Sequence, residues 1–155
     1  MKYSPIDNSL FVINRKKFIA KMKNNSVAFF NSNDKYPVSA DTTLPFEQHR
    51  DLFYLTGINQ EETILVLFKK NEKVSKQIVF LTKPNDLLTH WEGARLNKKN
   101  AYSISGISEV YWLSDLKKII EKLLNENTSL YINQNEHYRA KVETETREDR
   151  FTNWL

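Results

Sequence analysis

Histidines and paired carboxylates are the side chains of this sequence best suited to binding a metal or moving a proton. The three histidines, His49, His90 and His137, are far apart, and none has a partner ligand at the spacing of a metal site. The paired carboxylates are Glu61-Glu62 and Glu143 with Glu145. Each pair lies in a polar turn or tail, where we expect solvated side chains that ionise as free ones do. These residues therefore predict neither a metal site nor an acid–base pair.

Composition removes several other kinds of catalysis. The chain has no cysteine, which excludes disulfides, thiolate metal ligands and a cysteine nucleophile. Three glycines are too few for a phosphate-binding loop or a dinucleotide fingerprint, and no Gly-x-Ser-x-Gly motif is present. We therefore expect no catalytic residue, no metal ligand and no cofactor within this chain.

Length and charge favour one ordinary globular domain. The 155 residues are enough for one compact core. The 23 Lys and Arg residues are scattered among 19 Asp and Glu residues, whereas a nucleic-acid surface concentrates its positive charge. No apolar run approaches the ~20 residues of a membrane span, and the start lacks the apolar core of a signal peptide. We expect a cytoplasmic protein that binds neither nucleic acid nor membrane.

Apolar spacing in the first half predicts a helix, a loop and three strands. Residues 14–23 place apolar side chains on one face of a helix, with basic residues on the opposite face. Residues 27–30 predict a short buried strand, and residues 31–48 a long ordered loop. The β-branched runs 63–68 and 77–82 predict adjacent central strands in a hairpin.

The second half alternates helices with strands. We predict a helix over residues 85–93, a strand over 109–113, a helix that Ser114 caps and that runs to Leu124, and a strand over 129–133. The pattern then weakens, and the charged residues 143–150 predict the start of a further helix. This order favours a single α/β domain, three-layer-like, with a mixed β-sheet flanked by helices.

Two segments stand out within this plan. Residues 45–58 are rich in aromatic side chains and end in Thr56-Gly57, which alone is typical of a core anchor followed by a glycine turn. Residues 90–95 contain Trp91, Gly93 and Arg95, which alone are typical of a helix C-terminus with a cation near its negative end.

Taken in order, four segments of this chain resemble the aminopeptidase P N-terminal domain, within the creatinase and prolidase group. They are Ser39-Ala40-Asp41, Phe53-Tyr54-Leu55-Thr56-Gly57, the strand from Ile64 to Phe68, and Trp91-Glu92-Gly93-Ala94-Arg95. His49-Arg50 and Gln60 depart from the family pattern at loop positions. The resemblance implies the creatinase/prolidase N-terminal, ribonuclease H-like fold over residues 1–140. Residues 141–155 would then begin a linker towards a catalytic domain.

The resemblance also implies a parent enzyme. Members of this family are Xaa-Pro aminopeptidases, hydrolases that remove an N-terminal residue preceding proline, and they hold two divalent metals, usually manganese, in a C-terminal catalytic domain. The sequence ends at Leu155, before any such ligand set, so we expect the 155-residue chain alone to be inactive. Its expected partners are its own catalytic domain, further copies in a dimer or tetramer, and a peptide with proline in second position.

The site residues implied by the resemblance concern access and assembly. In relatives, the tryptophan of the Trp-x-Gly-x-Arg motif can reach the active-site mouth of a neighbouring subunit. By matching position the candidates for substrate access or a subunit interface are Trp91, Asp41, Arg95 and Tyr54.

Three alternatives stay open. A prolidase, which cleaves only dipeptides, carries the same domain type. A stand-alone binding module could reuse the fold without a catalytic partner. A nucleic-acid binder is supported only by the isoelectric point of about 9.2.

Overall fold

The computed structural model describes residues 5–40, 42–85, 93–133 and 147–155. The helices in these ranges are α1 Asn8–Lys21, α2 Arg50–Thr56, α3 Lys98–Ser105, α4 Leu116–Leu123 and α5 Arg147–Trp154. The strands are β1 Ser26–Asn31, β2 Pro37–Ser39, β3 Thr42–Thr43, β4 Thr63–Lys69, β5 Ser75–Leu81, β6 Glu109–Trp112 and β7 Ser129–Ile132.

Five strands form a mixed sheet in the order β6-β5-β4-β1-β7. The central strand β4 is antiparallel to both β1 and β5, whereas β7 is parallel to β1 and β6 is parallel to β5. All seven residues of β4 are buried, which explains its continuous apolar run. The strands β2 and β3 form a separate exposed hairpin.

Helices cover both faces of the five-stranded sheet. One core packs Ile19 of α1, Leu52 of α2 and Ala101 of α3 against Leu65 and Val79. The other core packs Ile120 of α4 and Phe151 of α5 against the opposite side of the same strands. The predicted single α/β domain with a mixed, helix-flanked sheet is confirmed.

The strand predictions agree best with the structure. The predicted central hairpin is present as β4 and β5, paired from Thr63 with Leu81 to Lys69 with Ser75. The helix predicted from residue 14 begins at Asn8, because the side chain of Asp7 accepts a hydrogen bond from the backbone N–H of Ser9 at 2.8 Å.

Several boundaries were wrong. The predicted loop over residues 31–48 contains the β2–β3 hairpin, and the aromatic segment before Gly57 contains the helix α2. The helix α3 was not predicted. Ser114 does not cap α4, since a 3₁₀ turn at Leu113–Asp115 precedes that helix. The helix predicted over residues 85–93 falls mostly on residues 86–92, outside the described ranges.

Arg15 is fully buried, although it belongs to the basic residues that we predicted on the exposed face of α1. Its Nη1 donates to the carbonyl oxygen of Leu55 at 2.6 Å, and its Nη2 donates to that of Ser105 at 2.8 Å. Its Nε donates to Gln77 Oε1 at 2.7 Å. Leu55 and Ser105 lie in the last turns of α2 and α3, where the helix dipole is negative. The guanidinium thus joins three helices and the sheet.

Candidate functional site

A group of charged and polar side chains gathers at one edge of the sheet, and we name it the Arg95 cluster. Because β4 is antiparallel to β1 and β5, its first residues lie beside the last residues of both neighbours. Glu61 and Glu62 immediately precede β4, Thr82 follows β5, and Lys35 follows β1. The strand order therefore brings together residues that are distant in sequence.

Arg95 bridges two carboxylates in this cluster. Its Nη1 lies 2.8 Å from Glu62 Oε2, and its Nη2 lies 3.4 Å from Glu61 Oε1. Lys35 Nζ reaches the same Glu61 oxygen at 2.9 Å, and Thr82 Oγ1 donates to Glu62 Oε2 at 2.7 Å. The side chains of Arg95 and Glu61 are only 18% and 17% exposed. This geometry makes a partly shielded network rather than a set of isolated surface pairs.

The network changes how both carboxylates ionise. Burial raises the pKa of Glu61, but the hydrogen bond from Lys35 and the positive charges of Lys35 and Arg95 bring it below its ordinary value of 4.5. Burial likewise raises the pKa of Glu62, and hydrogen bonds from Arg95 and Thr82 outweigh that effect. The expectation of solvated carboxylates that ionise independently was wrong for Glu61 and Glu62, whereas Glu143 and Glu145 lie outside the described residues. Glu61 and Glu62 are both ionised at neutral pH, so neither is poised to act as a general acid.

Gln60 binds the backbone of the residue that follows Arg95. Its Oε1 accepts a hydrogen bond from the backbone N–H of Leu96 at 2.7 Å, and the residue is 6% exposed. Gln48 Nε2 in turn donates to the carbonyl oxygen of Gln60 at 2.9 Å. Residues 95 and 96 are therefore held at the start of β4 by two kinds of contact. The side chain of Arg95 forms ion pairs, and the backbone N–H of Leu96 donates a hydrogen bond. From the sequence, Gln60 was noted only because it departs from the family pattern, and its contact with Leu96 was not predicted.

The helix α5 contacts the last residue of β1, close to the Arg95 cluster. Glu148 accepts hydrogen bonds from the backbone N–H of Asn31 at 3.1 Å and from Asn31 Nδ2 at 2.8 Å. Burial raises the pKa of Glu148 above its ordinary value despite these two bonds. The ring of Phe151 packs 5.0 Å from that of Phe29. The helix predicted in the tail is thus present and packs on the sheet, while the proposed domain boundary at residue 140 stays a prediction.

Of the four predicted site residues, the structure describes Arg95 and Tyr54, and these two lie in different places. Arg95 lies in the cluster above. Tyr54 lies on α2, is 57% exposed and lines a cleft that Arg95 does not line. Asp41 and Trp91 lie outside the described residues.

Residues 5–40, 42–85, 93–133 and 147–155 contain neither a metal-binding group of side chains nor a membrane-spanning helix. Within these ranges, no three His, Cys, Asp or Glu side chains converge in a way that could hold a metal ion. No helix in the same ranges has the length and apolar character needed to cross a membrane.

The fold and the Arg95 cluster define a mixed α/β domain whose polar site is an ion-pair network. The family model described as "Aminopeptidase P, N-terminal domain" matches residues 11–131, and the chain belongs to this family.

Similar proteins are longer peptidases. The chain is 33% identical over 117 residues to the Xaa-Pro aminopeptidase of Haemophilus influenzae, covering 76% of this chain and 27% of that protein. It is 29% identical over 140 residues to the Xaa-Pro aminopeptidase of Escherichia coli, covering 90% of this chain and 32% of that protein. A solved structure of E. coli aminopeptidase P in its low-pH form matches with a TM-score of 0.80 and 26% identity, covering 97% of this chain and 32% of that one. The chain thus spans about a third or less of these relatives.

Removing the guanidinium of Arg95 is expected to reduce the loss of stability in acid. The pKa values of Glu61 and Glu62 are lowered in the folded chain, so the unfolded chain binds protons first as the pH falls. Their stabilising contribution is present above about pH 4.5 and is lost as the pH falls through the lowered folded values. In Arg95→Met the difference in unfolding free energy between neutral and acidic pH should be smaller than in the wild type, as measured by urea denaturation.

Lys17→Met is the matched control, because it removes one positive charge from an exposed position on α1. Parallel pH curves for Arg95→Met and wild type would contradict the assigned role of Arg95.

Proposed function

We propose that this chain is the N-terminal, non-catalytic domain of a Xaa-Pro aminopeptidase, a hydrolase that removes an N-terminal residue preceding proline. The observation that carries the proposal is the family match over residues 11–131, together with relatives named Xaa-Pro aminopeptidase. In this proposal the domain controls access to the active site and contributes to a dimer or tetramer of the parent, in the cytoplasm.

The proposed metal chemistry belongs to the parent rather than to this chain. The described residues contain no converging ligand set, so they do not fit two divalent metals. We therefore assign the two metals, proposed to be manganese, to the downstream catalytic domain. The 155-residue chain alone is then inactive.

The proposed access role centres on the segment that ends at Arg95. Its ion pairs with Glu61 and Glu62, and the hydrogen bond from Leu96 to Gln60, fix the chain four residues after Trp91. We propose Trp91 as the residue that contacts the peptide and Asp41 as a further access candidate; both lie outside the described residues. Arg95, at the end of the same motif, is the access candidate whose contacts the structure describes.

The parent enzyme provides the decisive assay. The full-length protein with manganese is expected to release the first residue of an Xaa-Pro peptide, and to leave the matched Xaa-Ala peptide intact. The 155-residue chain is expected to cleave neither peptide and to bind manganese weakly. Tight stoichiometric manganese on this chain, measured by calorimetry, would contradict the assignment of the metals to the downstream domain.

Replacing Trp91 by alanine in the parent is expected to slow turnover of longer Xaa-Pro peptides by about tenfold, with little effect on an Xaa-Pro dipeptide. The reason is that a lost aromatic contact of about 1.4 kcal/mol changes a rate by that factor when the contact is made beyond the scissile bond. Tyr102→Ala is the control, since Tyr102 is an exposed aromatic residue on α3. Equal kinetics for Trp91→Ala and wild type would show that Trp91 is structural. A parent that cleaves only dipeptides would instead be a prolidase.

A further inference from the structure

The helix α5 buries little of its own surface. Of its eight residues, all of them described, only Phe151 is buried, and its ring packs 5.0 Å from that of Phe29. The ion pair between Arg150 and Asp34 contributes little to docking, because the arginine side chain is 49% exposed. A helix of eight residues is not stable in water without tertiary contacts. A polar contact that reaches the interior therefore matters for whether α5 stays on the sheet.

Glu148 makes that polar contact at the end of β1. The strand β7 accompanies β1 only as far as Phe29, which pairs with Ile132. The backbone N–H of Asn31 lies past this pairing and donates to Glu148 Oε1 at 3.1 Å, while Asn31 Nδ2 donates to Glu148 Oε2 at 2.8 Å. Asn31 is fully buried, and Glu148 is half-buried. Both carboxylate oxygens of Glu148 are thus bound by one interior residue.

The amide of Asn31 can pair with either form of the Glu148 carboxyl group. A carboxylate only accepts hydrogen bonds, a protonated carboxyl group also donates one, and a primary amide has both a donor and an acceptor. Within the described residues, Asn31 Oδ1 is buried without a hydrogen-bond partner, so turning the amide over breaks no bond at that oxygen. Oδ1 would then accept from the protonated Oε2, and the backbone N–H would still donate to Oε1. The contact therefore survives protonation.

The surroundings of Glu148 make its ionised form costly. Burial raises the pKa of Glu148 above its ordinary value of 4.5, and this effect exceeds the lowering by the two Asn31 bonds. The other groups that face it are His49, which precedes α2, and Arg147 on α5, and both lower the same pKa. Arg147 also interacts with Asp34 and Glu62, which share its positive charge. At neutral pH, α5 therefore docks by burying a negative charge that is only partly compensated.

We propose that Glu148 and Asn31 form a proton switch that holds α5 on the sheet more tightly when Glu148 is protonated. In acid, the neutral carboxyl group keeps both contacts with Asn31 and buries no charge. This stabilisation is fully present below about pH 4.5 and is lost as the pH rises through the raised folded value. The sign is opposite to that of Glu61 and Glu62, whose contribution is lost below about pH 4.5. The two effects thus act in separate pH ranges.

Hydrogen exchange at the amide of Asn31 reports on this contact directly, because Glu148 accepts that N–H only while α5 is docked. Its protection factor, corrected for the intrinsic pH dependence of exchange, is compared with that of Val66 in the middle of β4. Above about pH 4.5 the ratio is expected to fall by up to about tenfold per pH unit, because the undocked carboxyl group is ionised while the docked one keeps its proton. The ratio should level off once the docked group has also ionised.

Glu148→Gln mimics the protonated form and should remove the pH dependence. Its carbonyl oxygen can accept from the backbone N–H of Asn31, and its amide can donate to Asn31 Oδ1. Protection at Asn31 should therefore stay at the acid level across the whole range. Glu121→Gln is the matched control, because it makes the same chemical change at an exposed carboxylate on α4 and should retain the wild-type pH dependence. Far-ultraviolet circular dichroism would check that both variants are folded.

Three results would overturn the proposal. The first is wild-type protection at Asn31 that stays constant above about pH 4.5. The second is a pH dependence that persists in Glu148→Gln and disappears in His49→Gln, which would place the sensor at His49. The third needs no variant: the carboxyl carbon of Glu148, followed by nuclear magnetic resonance in the wild type, would titrate at or below 4.5. Titration of that carbon above 4.5, in step with the loss of protection at Asn31, supports the switch.

The switch has a consequence for the parent enzyme. Residues 141–155 are predicted to begin the linker towards the catalytic domain, so a docked α5 would fix the start of that linker on the sheet. This consequence rests on the proposed function. The exchange measurement uses the 155-residue chain and needs no peptidase activity, so failure of the switch and failure of the enzyme assignment would be distinguished.

Discussion

Replacing Arg15 by methionine is expected to lower the free energy of unfolding by about 3 kcal/mol. Methionine fills part of the space but donates no hydrogen bond, so the carbonyl oxygens of Leu55 and Ser105 and the Oε1 of Gln77 would each lose a donor. A buried acceptor left without a donor costs about 1–3 kcal/mol, and removing a costly buried charge offsets part of that sum. Urea denaturation at neutral pH would measure the loss.

The Arg15→Met substitution tests hydrogen bonds from a buried guanidinium to neutral oxygens, and not an ion pair. Burial lowers the pKa of Arg15 to about 10, which still leaves the guanidinium charged at neutral pH. Its three partners are neutral oxygens at or near the ends of α2, α3 and β5. Lys16→Met is the matched control, because Lys16 is exposed on the same helix, and it should change stability by less than about 0.5 kcal/mol. Equal losses in the two variants would mean that the three oxygens find other donors.

The central strands could be predicted because their signal is local. Every residue of β1 and β4 is buried on both faces of the sheet, so each strand is an almost uninterrupted apolar or β-branched run. The glycine turn after the Tyr-Leu-Thr sequence could also be predicted locally. Gly57 has the left-handed φ of +69° that is common for a glycine at the end of a helix. The family resemblance rested on the same local motifs, and the match over residues 11–131 confirmed it.

The helix α3 and the exposed hairpin were missed because they have almost no apolar period. The eight residues of α3 bury only Ala101 and Ser105, so its limits are set by the Asn97 cap and by Gly106 rather than by a hydrophobic face. Every residue of β2 and β3 is exposed. Without burial on one side, a two-stranded hairpin has no alternation for sequence analysis to detect.

The polar networks depend on strand order, which the sequence does not encode locally. Arg95 meets Glu62 across a separation of 33 residues, only because the ends of β1 and β5 flank the start of β4. Arg15 was assigned to the exposed face because a charged residue in an amphipathic helix usually belongs there. Its burial follows from two helices that both end beside it, and the sequence showed one of those helices only as an aromatic segment and the other not at all.

Those two helix ends are built alike, which shows what positions their carbonyl groups for Arg15. Thr56 Oγ1 donates to the carbonyl oxygen of Leu52 and accepts from the N–H of Ile58, and Ser105 Oγ makes the same pair of bonds with Ala101 and Ile107. Each hydroxyl residue is followed by a glycine with positive φ. The isoleucine after each glycine, Ile58 or Ile107, is buried and so anchors the backbone that leaves the helix.

Gly57→Ala is accordingly expected to lower the free energy of unfolding by about 3 kcal/mol. At a φ of +69° an alanine pays about 1 kcal/mol of backbone strain, and its Cβ would overlap the buried ring of Phe11, an overpacking that costs about 1–3 kcal/mol more. Gly93→Ala separates the two costs, because Gly93 has a φ of +85° and a Cβ there meets no atom within 4 Å. Thermal and urea unfolding should therefore show a loss of only about 1 kcal/mol in Gly93→Ala. Equal losses at the two positions would mean that Phe11 moves aside at little cost, and that the contact between α1 and the end of α2 is looser than its burial indicates.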